Sequence, residues 1–555
     1  MSKLKPKLFS VMKGYTKAQF FKDFTAGIIV AIIAFPLSIA LAIASGVAPE
    51  RGLYTAIVAG FIISFLGGSR VQIGGPTGAF MVIVLGVIAE YGFEGLVIAT
   101  FLAGIIMILF GLAKLGSVVK FIPYPIVTGF TTGIALVIFT SQVQDFFGMG
   151  ITNLPGDFLG KWGAYFTHIG DINPVTLGIG ALTLLILIFW PKISKKIPGT
   201  LVAIVVATAL TYFLGLDIET IGSKYGVLAS TLPAPSLPSI TFDKIKTLLE
   251  PAFVIAFLGS VESLLSAVVS DGMIGSRHRS NMELVAQGVA NIGSSVFGGI
   301  PATGAIARTV ANIKNGGRTP IAGMTHAVVV LLMMLFLMPL VQHIPLSSLA
   351  AVLFMVAYNM SDLREFKTVL KSPLPDTVVL LTTFGLTVVV DLVVAIEIGL
   401  VMSMFLFMKR MSDVSDVSIK KLDFTEETKQ ETLHEPNQTL PQTQWGEGVQ
   451  MYQINGPFFF GAAHKFVDAV KSTDNSIRHL IVGMKHVPAM DATAIHYFKS
   501  TLKTCESKKI TLYITGLKSQ PKEALEKAGV LEKIGPNRMF ATIEEAVAQV
   551  KIEKS

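Results

Sequence analysis

Between residues 24 and 408 the chain is a succession of apolar runs, most of them long enough to cross a lipid bilayer. A bilayer core takes about 20 apolar residues in helical form and does not tolerate exposed, unpaired backbone. Such a chain folds as a bundle of membrane helices. Fourteen runs are read, at about 24–45, 52–67, 77–89, 95–113, 121–141, 175–190, 199–215, 250–271, 283–297, 303–314, 320–340, 346–360, 376–390 and 392–408. The third and the tenth are too short for a full crossing. Each follows a piece read as extended, Arg70-Val-Gln-Ile-Gly74 and Ser294-Ser-Val-Phe-Gly298. Non-helical backbone at that depth must be buried in protein or line a cavity.

The charge is placed to match. Only 15% of the 555 residues are charged, where a soluble protein is nearer a quarter. The net charge of +8 is not a nucleic-acid signature, because the basic residues cluster at the ends of spans. Lys3, Lys5, Lys7, Lys13, Lys17 and Lys22 precede the first span with no acid among them, which sets the N-terminus in the cytoplasm. With fourteen crossings the clusters Lys192/Lys195/Lys196, Arg277/Arg279, Lys314/Arg318, Arg364/Lys367/Lys371 and Lys409/Arg410 all fall inside, and so does the C-terminus. The first apolar run is too long for a cleavable signal. The single cysteine, Cys505, rules out an internal disulfide. The chain divides into a basic N-terminus (1–23), a transmembrane domain (24–410), a linker (411–446) and a soluble cytoplasmic domain (447–555).

The two short spans carry the same triplet: Thr77-Gly78-Ala79 within Gly74-Gly-Pro-Thr-Gly-Ala-Phe80, and Thr303-Gly304-Ala305 within Gly298-Gly-Ile-Pro-Ala-Thr-Gly-Ala-Ile-Ala-Arg308. Ile33-Ala-Phe35 in span one is matched by Ile255-Ala-Phe257 in span eight, at similar distances from the triplets. Seven spans plus seven, an odd number in each half, make an inverted repeat with its site near the bilayer midplane. A helix start with uncovered N–H groups carries roughly half a positive charge and attracts an anion. The expected anion site is Thr77, Gly78, Ala79, Phe80, Ala302, Thr303, Gly304 and Ala305, with Phe35 nearby. Arg308 adds a full charge and can donate bidentately to a carboxylate, sulfate or bicarbonate.

Glu262 is the one acid deep in an apolar run. A carboxylate there costs several kcal/mol unless it has a partner or water, so function is its default reading. Glu262 and Ser266 share a helix face, and Ser263 adds another oxygen. The group suits either proton acceptance or a sodium ion at Glu262, Ser266 and Thr303. The alternative is a structural pair between Glu262 and Arg308. Glu397 is read as structural. No metal-ligand cluster, nucleophile elbow or nucleotide loop points to an enzyme, and no cofactor beyond the coupling ion is expected.

After residue 411 the linker, with Asp413, Asp416, Glu426, Glu427 and Glu431, is too polar to bury a core and is expected to be partly disordered. Strands are then read at Val449–Ile454, Leu480–Met484 and Ile510–Ile514, and helices at about 461–472, 492–507, 521–529 and 543–551. That is a small α/β domain, with Asp491 as an N-cap.

The motifs together resemble the sulfate permease family of anion transporters, whose animal members include prestin. The resemblance runs from about Asp23 to Val550 and rests on the two Thr-Gly-Ala stretches, Gly52-Leu-Tyr54, Ala357-Tyr-Asn-Met-Ser361 and a C-terminal domain of the STAS type. It implies a core moving against a gate, a homodimer, and an anion held between the third and tenth helix starts. In span one Pro36-Leu stands where many sulfate carriers have Pro-Gln, which looks more like bacterial members that carry bicarbonate or C4-dicarboxylates. Arg51 stands where a Tyr is common. Sodium-coupled bicarbonate members have Asp and Thr, four apart, at the positions of Glu262 and Ser266. In related STAS modules a phosphorylated Ser occupies the place of Thr493, which makes Thr493 a candidate phosphorylation site. The expected protein is a multi-pass plasma-membrane carrier of small, sulfate-type anions, coupled to H+ or Na+. Its expected partners are the bilayer, a second copy and a cytoplasmic protein at the STAS domain. Alternatives are a bicarbonate or C4-dicarboxylate symporter, an anion channel, and a nucleobase carrier of related fold, which Arg308 disfavours.

Overall fold

The structure is a computed structural model that describes residues 4–117, 123–194, 197–390, 392–414, 416–420, 448–473 and 476–554. The chain separates into two compact units, residues 1–402 and 403–555. Seven helices among the described residues are long and apolar enough to cross a membrane, and two shorter apolar ones accompany them.

Each expected span coincides with helix. After a short α1 (Leu8–Val11) come α2 (Lys17–Ala44) and α3 (Pro49–Leu66). Strand β1 (Gly74–Gly75) and a 3-10 turn (Gly78–Phe80) lead into α4 (Met81–Leu112). Spans three and four are thus one helical stretch, kinked at Gly92, whose φ of 68° interrupts the helix. Next are α5 (Tyr124–Phe147), the unexpected α6 (Phe158–Thr167), α7 (Pro174–Ile193), α8 (Gly199–Phe213) and the small α9 (Ile221–Tyr225). The second half runs α10 (Phe242–Ile274), α11 (Ser280–Val296), β2 (Thr303–Gly304), α12 (Ile306–Lys314), α13 (Pro320–Val341) and α14 (Leu346–Met360). It closes with α15 (Leu363–Val369), α16 (Leu374–Val389) and α17 (Leu392–Val414).

Side-chain oxygens start several of these helices. Thr16 accepts from Gln19 N, Asn173 from Val175 N and Thr176 N, and Thr241 from Lys244 N. Each satisfies an otherwise orphaned first-turn donor. The Thr241 cap starts α10 eight residues before the expected span eight, and Pro251 falls within the helix. Ser294–Val296, read as extended, is the end of α11, and the extended backbone lies at Thr303–Gly304 instead.

Small residues set the helix packing. A β-carbon on Gly288 would strike Gly104 O and one on Gly104 would sit 2.6 Å from Gly288 O, so α4 and α11 meet backbone to backbone. On α3, Gly52 leaves room for the Ser38 carbonyl of α2. In a second group, Gly129 of α5 would meet Leu380 O of α16 at 2.8 Å and Gly133 would meet Thr387 Cβ at 2.8 Å. Helices α2, α3, α4 and α10–α13 pack chiefly with one another, while α5, α7, α14 and α16 form the other cluster.

The C-terminal unit is a five-stranded sheet in the order β3 (Asp416–Lys420), β4 (Val449–Asn455), β5 (His479–His486), β6 (Thr511–Thr515), β7 (Met539–Phe540). The β3–β4 pair is antiparallel and the rest are parallel. Helices α18 (Phe460–Lys471), α19 (Ala492–Ser507), α20 (Ser519–Lys527), α21 (Val530–Ile534) and α22 (Ile543–Lys554) complete it. Its core joins Phe458, Phe466 and Phe498 to the buried face of the sheet. Burial pushes the Cys505 thiol up to about 12. The expected linker from 411 needs correction at its start. Helix α17 continues to Val414 and Asp416–Lys420 is an edge strand. Residues 421–447, with Glu426, Glu427 and Glu431, lie outside the described residues, as do Lys3, Lys195, Lys196 and Asp391.

Candidate functional site

The two Thr-Gly-Ala stretches meet. Strands β1 and β2 pair antiparallel, Gly74 opposite Gly304 and Gly75 opposite Thr303. Ala305 N donates to Ile73 O at 2.8 Å and extends the ladder. Backbone pairing is the cheapest way to hold non-helical chain inside a membrane protein, since each unpaired group would otherwise be stranded. It needs small residues, because Gln72 lies where a Gly304 β-carbon would be and Ile63 where one on Gly74 would be. The α4 and α12 starts therefore lie side by side.

Hydrogen-bond accounting moves the free donors on the second arm. Ala302 N donates to Asn291 Oδ1 at 2.8 Å, Gly304 N to Ser263 Oγ at 3.3 Å, and Ala305 N to Ile73 O. The N–H groups of Ala302, Gly304 and Ala305 are thus engaged, contrary to the sequence reading. The first turn of α12 has no side-chain cap, so its orphan donors are Ile306, Ala307 and Arg308. Ile306 and Ala307 are exposed, whereas Ala302–Ala305 are buried. On the first arm the 3-10 turn also lacks a side-chain cap, and Gly78 and Ala79 head it. Phe80 N is taken by Thr77 O at 3.3 Å.

Helix α10 holds both arms from behind. Thr77 Oγ1 donates to Glu262 Oε2 at 3.1 Å. Thr303 Oγ1 lies 2.6 Å from Ser263 Oγ and donates to Gly259 O at 3.0 Å. Ser266 Oγ donates to Thr309 Oγ1 at 3.4 Å. The expected cation set is thereby divided: Glu262 bonds the first arm, while Ser263 and Ser266 bond the second. No group of three or more metal-ligating His, Cys, Asp or Glu side chains occurs among the described residues. Phe80 packs against Gly259, where a β-carbon would lie 3.2 Å from its ring.

Arg308 is 2% exposed and tucked behind the first arm. Its Nη2 donates to Pro76 O at 3.1 Å and to Ser38 Oγ at 3.4 Å, and its Nη1 lies against Gly75. Glu262 is not its partner: the salt bridges among the described residues do not join them. The structural ion pair weighed in the sequence is absent. Arg308 reaches the helix starts as a field through the Gly75–Pro76 backbone rather than as an exposed fork. Phe35 lines an apolar cavity of about 530 Å³ with Leu201, Ile204 and Leu337, on the side of α8 and α13. On the same helix Ser38 Oγ accepts from Arg308 Nη2, and Leu41 lies beside Gly78.

Several polar residues here are not evident from the sequence. Asn291 clamps Ala302 through both its amide groups. Gln72 donates to Ser263 O at 3.1 Å. Arg51 donates to Gly298 O at 2.8 Å and lies 3.6 Å over the Phe93 ring. Buried Glu283 accepts from Gly68 N, Ser69 N and Gln287 Nε2 at 2.8–2.9 Å. Asp23 accepts from Arg318 N, Thr319 Oγ1 and Tyr15 OH, and burial, with the Asp23 charge beside it, pushes the Tyr15 phenol up to about 12. The signal for Asn291 was a polar residue at a helix position otherwise small or apolar, and for Gln72 a polar residue in the extended piece before Gly74. In the C-terminal unit Asp491 Oδ1 accepts from Ala494 N at 2.7 Å, which starts α19, and Thr493 is exposed. Glu397 is exposed.

A profile described as the sulfate permease family matches residues 20–383, and one described as the STAS domain matches residues 441–546. A putative sulfate transporter of Bacillus subtilis, YvdB, is 42% identical over 95% of this chain and 97% of its own. The bicarbonate transporter BicA of a Picosynechococcus strain is 30% identical over 95% of this chain and 94% of its own. Among solved structures, the transmembrane domain of a cyanobacterial BicA superposes with a TM-score of 0.61 at 31% identity, covering 70% of this chain and 98% of that one. SLC26A9 superposes with a TM-score of 0.87 at 19% identity, over 99% and 93%, a likeness of fold. Two helix starts paired through their glycines, an arginine behind them and a STAS-type sheet after the last span all occur here together, and the chain belongs to the sulfate permease family of membrane anion transporters.

Proposed function

We propose that this protein is a cation-coupled secondary transporter of small, sulfate-type oxyanions. The observation that carries it is the β1–β2 pairing, which sets two uncapped helix starts beside the buried charge of Arg308. Glu262 stands one hydrogen bond from the first of them. An anion there gains from two helix-end fields and one full charge. The coupling ion is H+ or Na+. A proton on Glu262 removes the negative charge nearest the anion, and a sodium ion near it offsets that charge, so either ion favours anion entry. Movement of the cluster holding α3, α4 and α10–α13 against the cluster of α5, α7, α14 and α16 would carry the loaded site between the two faces. Both termini are assigned to the cytoplasm of a plasma membrane, and the working unit is a homodimer. The name of the Bacillus relative supports sulfate. Pro36-Leu and the likeness to BicA support bicarbonate, or a C4-dicarboxylate, as a second reading.

The test is uptake of labelled sulfate, bicarbonate and succinate into proteoliposomes, with pH and sodium gradients imposed separately. Accumulation above the outside concentration of one of these anions, driven by one gradient, is the expected result. Equilibration without accumulation under either gradient would replace the carrier with a channel.

A further inference from the structure

Behind the paired arms lies a histidine that the anion site does not use. His326, on α13, is 0% exposed, and neither ring nitrogen has a hydrogen-bond partner. Arg308 Nη1 is likewise buried and without a partner. The two face the same stripe of α3. A β-carbon on Gly75 would strike Arg308 Nη1 and lie 3.6 Å from Ala56 Cα. One on Gly60 would lie 3.1 Å from Gly74 O and 3.8 Å from His326 Cε1 and Nδ1. Ala56 and Gly60 are successive turns of one helix face, about 6 Å apart along its axis. Neither has a side chain large enough to fill the space between the two groups.

Buried polar atoms in folded proteins find a partner, and where protein supplies none, ordered water does. A guanidinium has donors only, whereas a neutral imidazole has one donor and one acceptor. A water between them accepts from Arg308 Nη1 and donates to the bare ring nitrogen. No hydrogen bond joins the two groups directly, which leaves water as the partner for both.

We infer that His326 is a positioning residue for Arg308, holding its guanidinium through a bridging water so that the charge stays behind Gly75 and Pro76. This rests on the anion site proposed above. The bridge fixes the tautomer: the ring nitrogen facing Arg308 is unprotonated, and the other donates to a second water of the same space. It also explains how an arginine with no carboxylate partner keeps one orientation, since Ser38 and Pro76 engage only Nη2.

The first test is a cryo-electron microscopy map of the full chain in a lipid nanodisc, at a resolution that shows ordered water. Density within hydrogen-bond distance of both Arg308 Nη1 and a His326 ring nitrogen is expected, and a dry gap would overturn the inference. The second uses His326→Leu and His326→Asn with sulfate and bicarbonate as probes. His326→Leu should raise the apparent KM at least fivefold with kcat changed less than twofold. His326→Asn, which keeps a donor and an acceptor, should stay within twofold of the parent. Equal KM shifts in the two variants, or none in His326→Leu, would reduce His326 to packing. If the parent takes up neither anion, the transport reading fails, and the map still decides the bridge.

Discussion

The two Thr-Gly-Ala arms are alike in sequence and unlike in surroundings. The first arm gives its threonine hydroxyl to a carboxylate, Glu262. The second donates its hydroxyl to a neutral carbonyl, Gly259 O, lies 2.6 Å from Ser263 Oγ, and is followed within five residues by Arg308. Gly78 faces the flexible ends of Ile138 and Met360, while Gly304 abuts the Gln72 amide, which is tied to Ser263 O. A repeat duplicates backbone geometry, and the side chains packed behind each copy then divide the labour. One arm bonds a carboxylate, while the other supplies the arginine whose guanidinium reaches back behind the first.

Glu262→Gln cuts deepest into that division. It keeps the shape and an acceptor for Thr77 but removes the charge. Gradient-driven accumulation should fall to simple equilibration, with anion binding retained because Arg308 and both helix starts remain. A variant that melts at the parent temperature and still accumulates anion to the full extent would remove the coupling role from the first arm.

Arg308→Gln tests the second arm. At 6–8 Å and an effective dielectric near 20, a unit charge is worth about 2–3 kcal/mol to an anion, or roughly 30- to 100-fold in affinity. Uptake at low substrate should drop by that much. The melting temperature should hold or rise, because no carboxylate is left unpaired when this arginine goes. A large loss of stability would mean that Arg308 has an acidic partner after all.

Alanine at the two glycines sharpens the contrast further. Gly304→Ala displaces Gln72 and overpacks a buried pairing, at a cost of about 1–3 kcal/mol. Gly78→Ala meets Ile138 Cδ1 at 2.9 Å and Met360 Sδ at 3.4 Å, ends that can swing aside, and should cost less than about 1 kcal/mol. Melts of the two variants in one detergent compare them directly, and equal losses would count against the asymmetry.

The threonines test the contrast at single hydrogen bonds. Thr303→Val removes the bonds to Gly259 O and Ser263 Oγ, though Ser263 Oγ keeps Gly304 N, and should cost about 1 kcal/mol. Thr77→Val removes one bond to a half-buried carboxylate, about 1 kcal/mol. Its clearer sign should be a changed pH dependence of uptake, absent in Thr303→Val. If uptake by both variants follows the same pH curve, Glu262 does not read its state through Thr77.

Much of this protein was legible in its sequence. Apolar runs of bilayer length allow only helices, and two runs too short to cross, each with Thr-Gly-Ala, mark broken helices. The spans, the paired arms and the α/β character of the C-terminal unit followed from those patterns. The placement of Glu262 and Arg308 against the two arms was also readable, because a lone charge in an apolar run has few roles. What the sequence left open was which partner each polar group takes. An ion pair between Glu262 and Arg308 was the alternative reading, yet Glu262 bonds Thr77 and Arg308 lies behind Pro76. Phe35 read as site-lining, and it lines an apolar cavity with residues of α8 and α13. The N–H groups of Ala302, Gly304 and Ala305 read as free, yet Asn291, Ser263 and Ile73 occupy them. Strand β3 was hidden in a polar stretch because an edge strand needs backbone partners more than apolar side chains. Periodicity and composition report what a segment must bury, and these are local properties of the chain. The pairing of donors with acceptors depends on ångström-scale distances between segments hundreds of residues apart, and only the folded chain sets those.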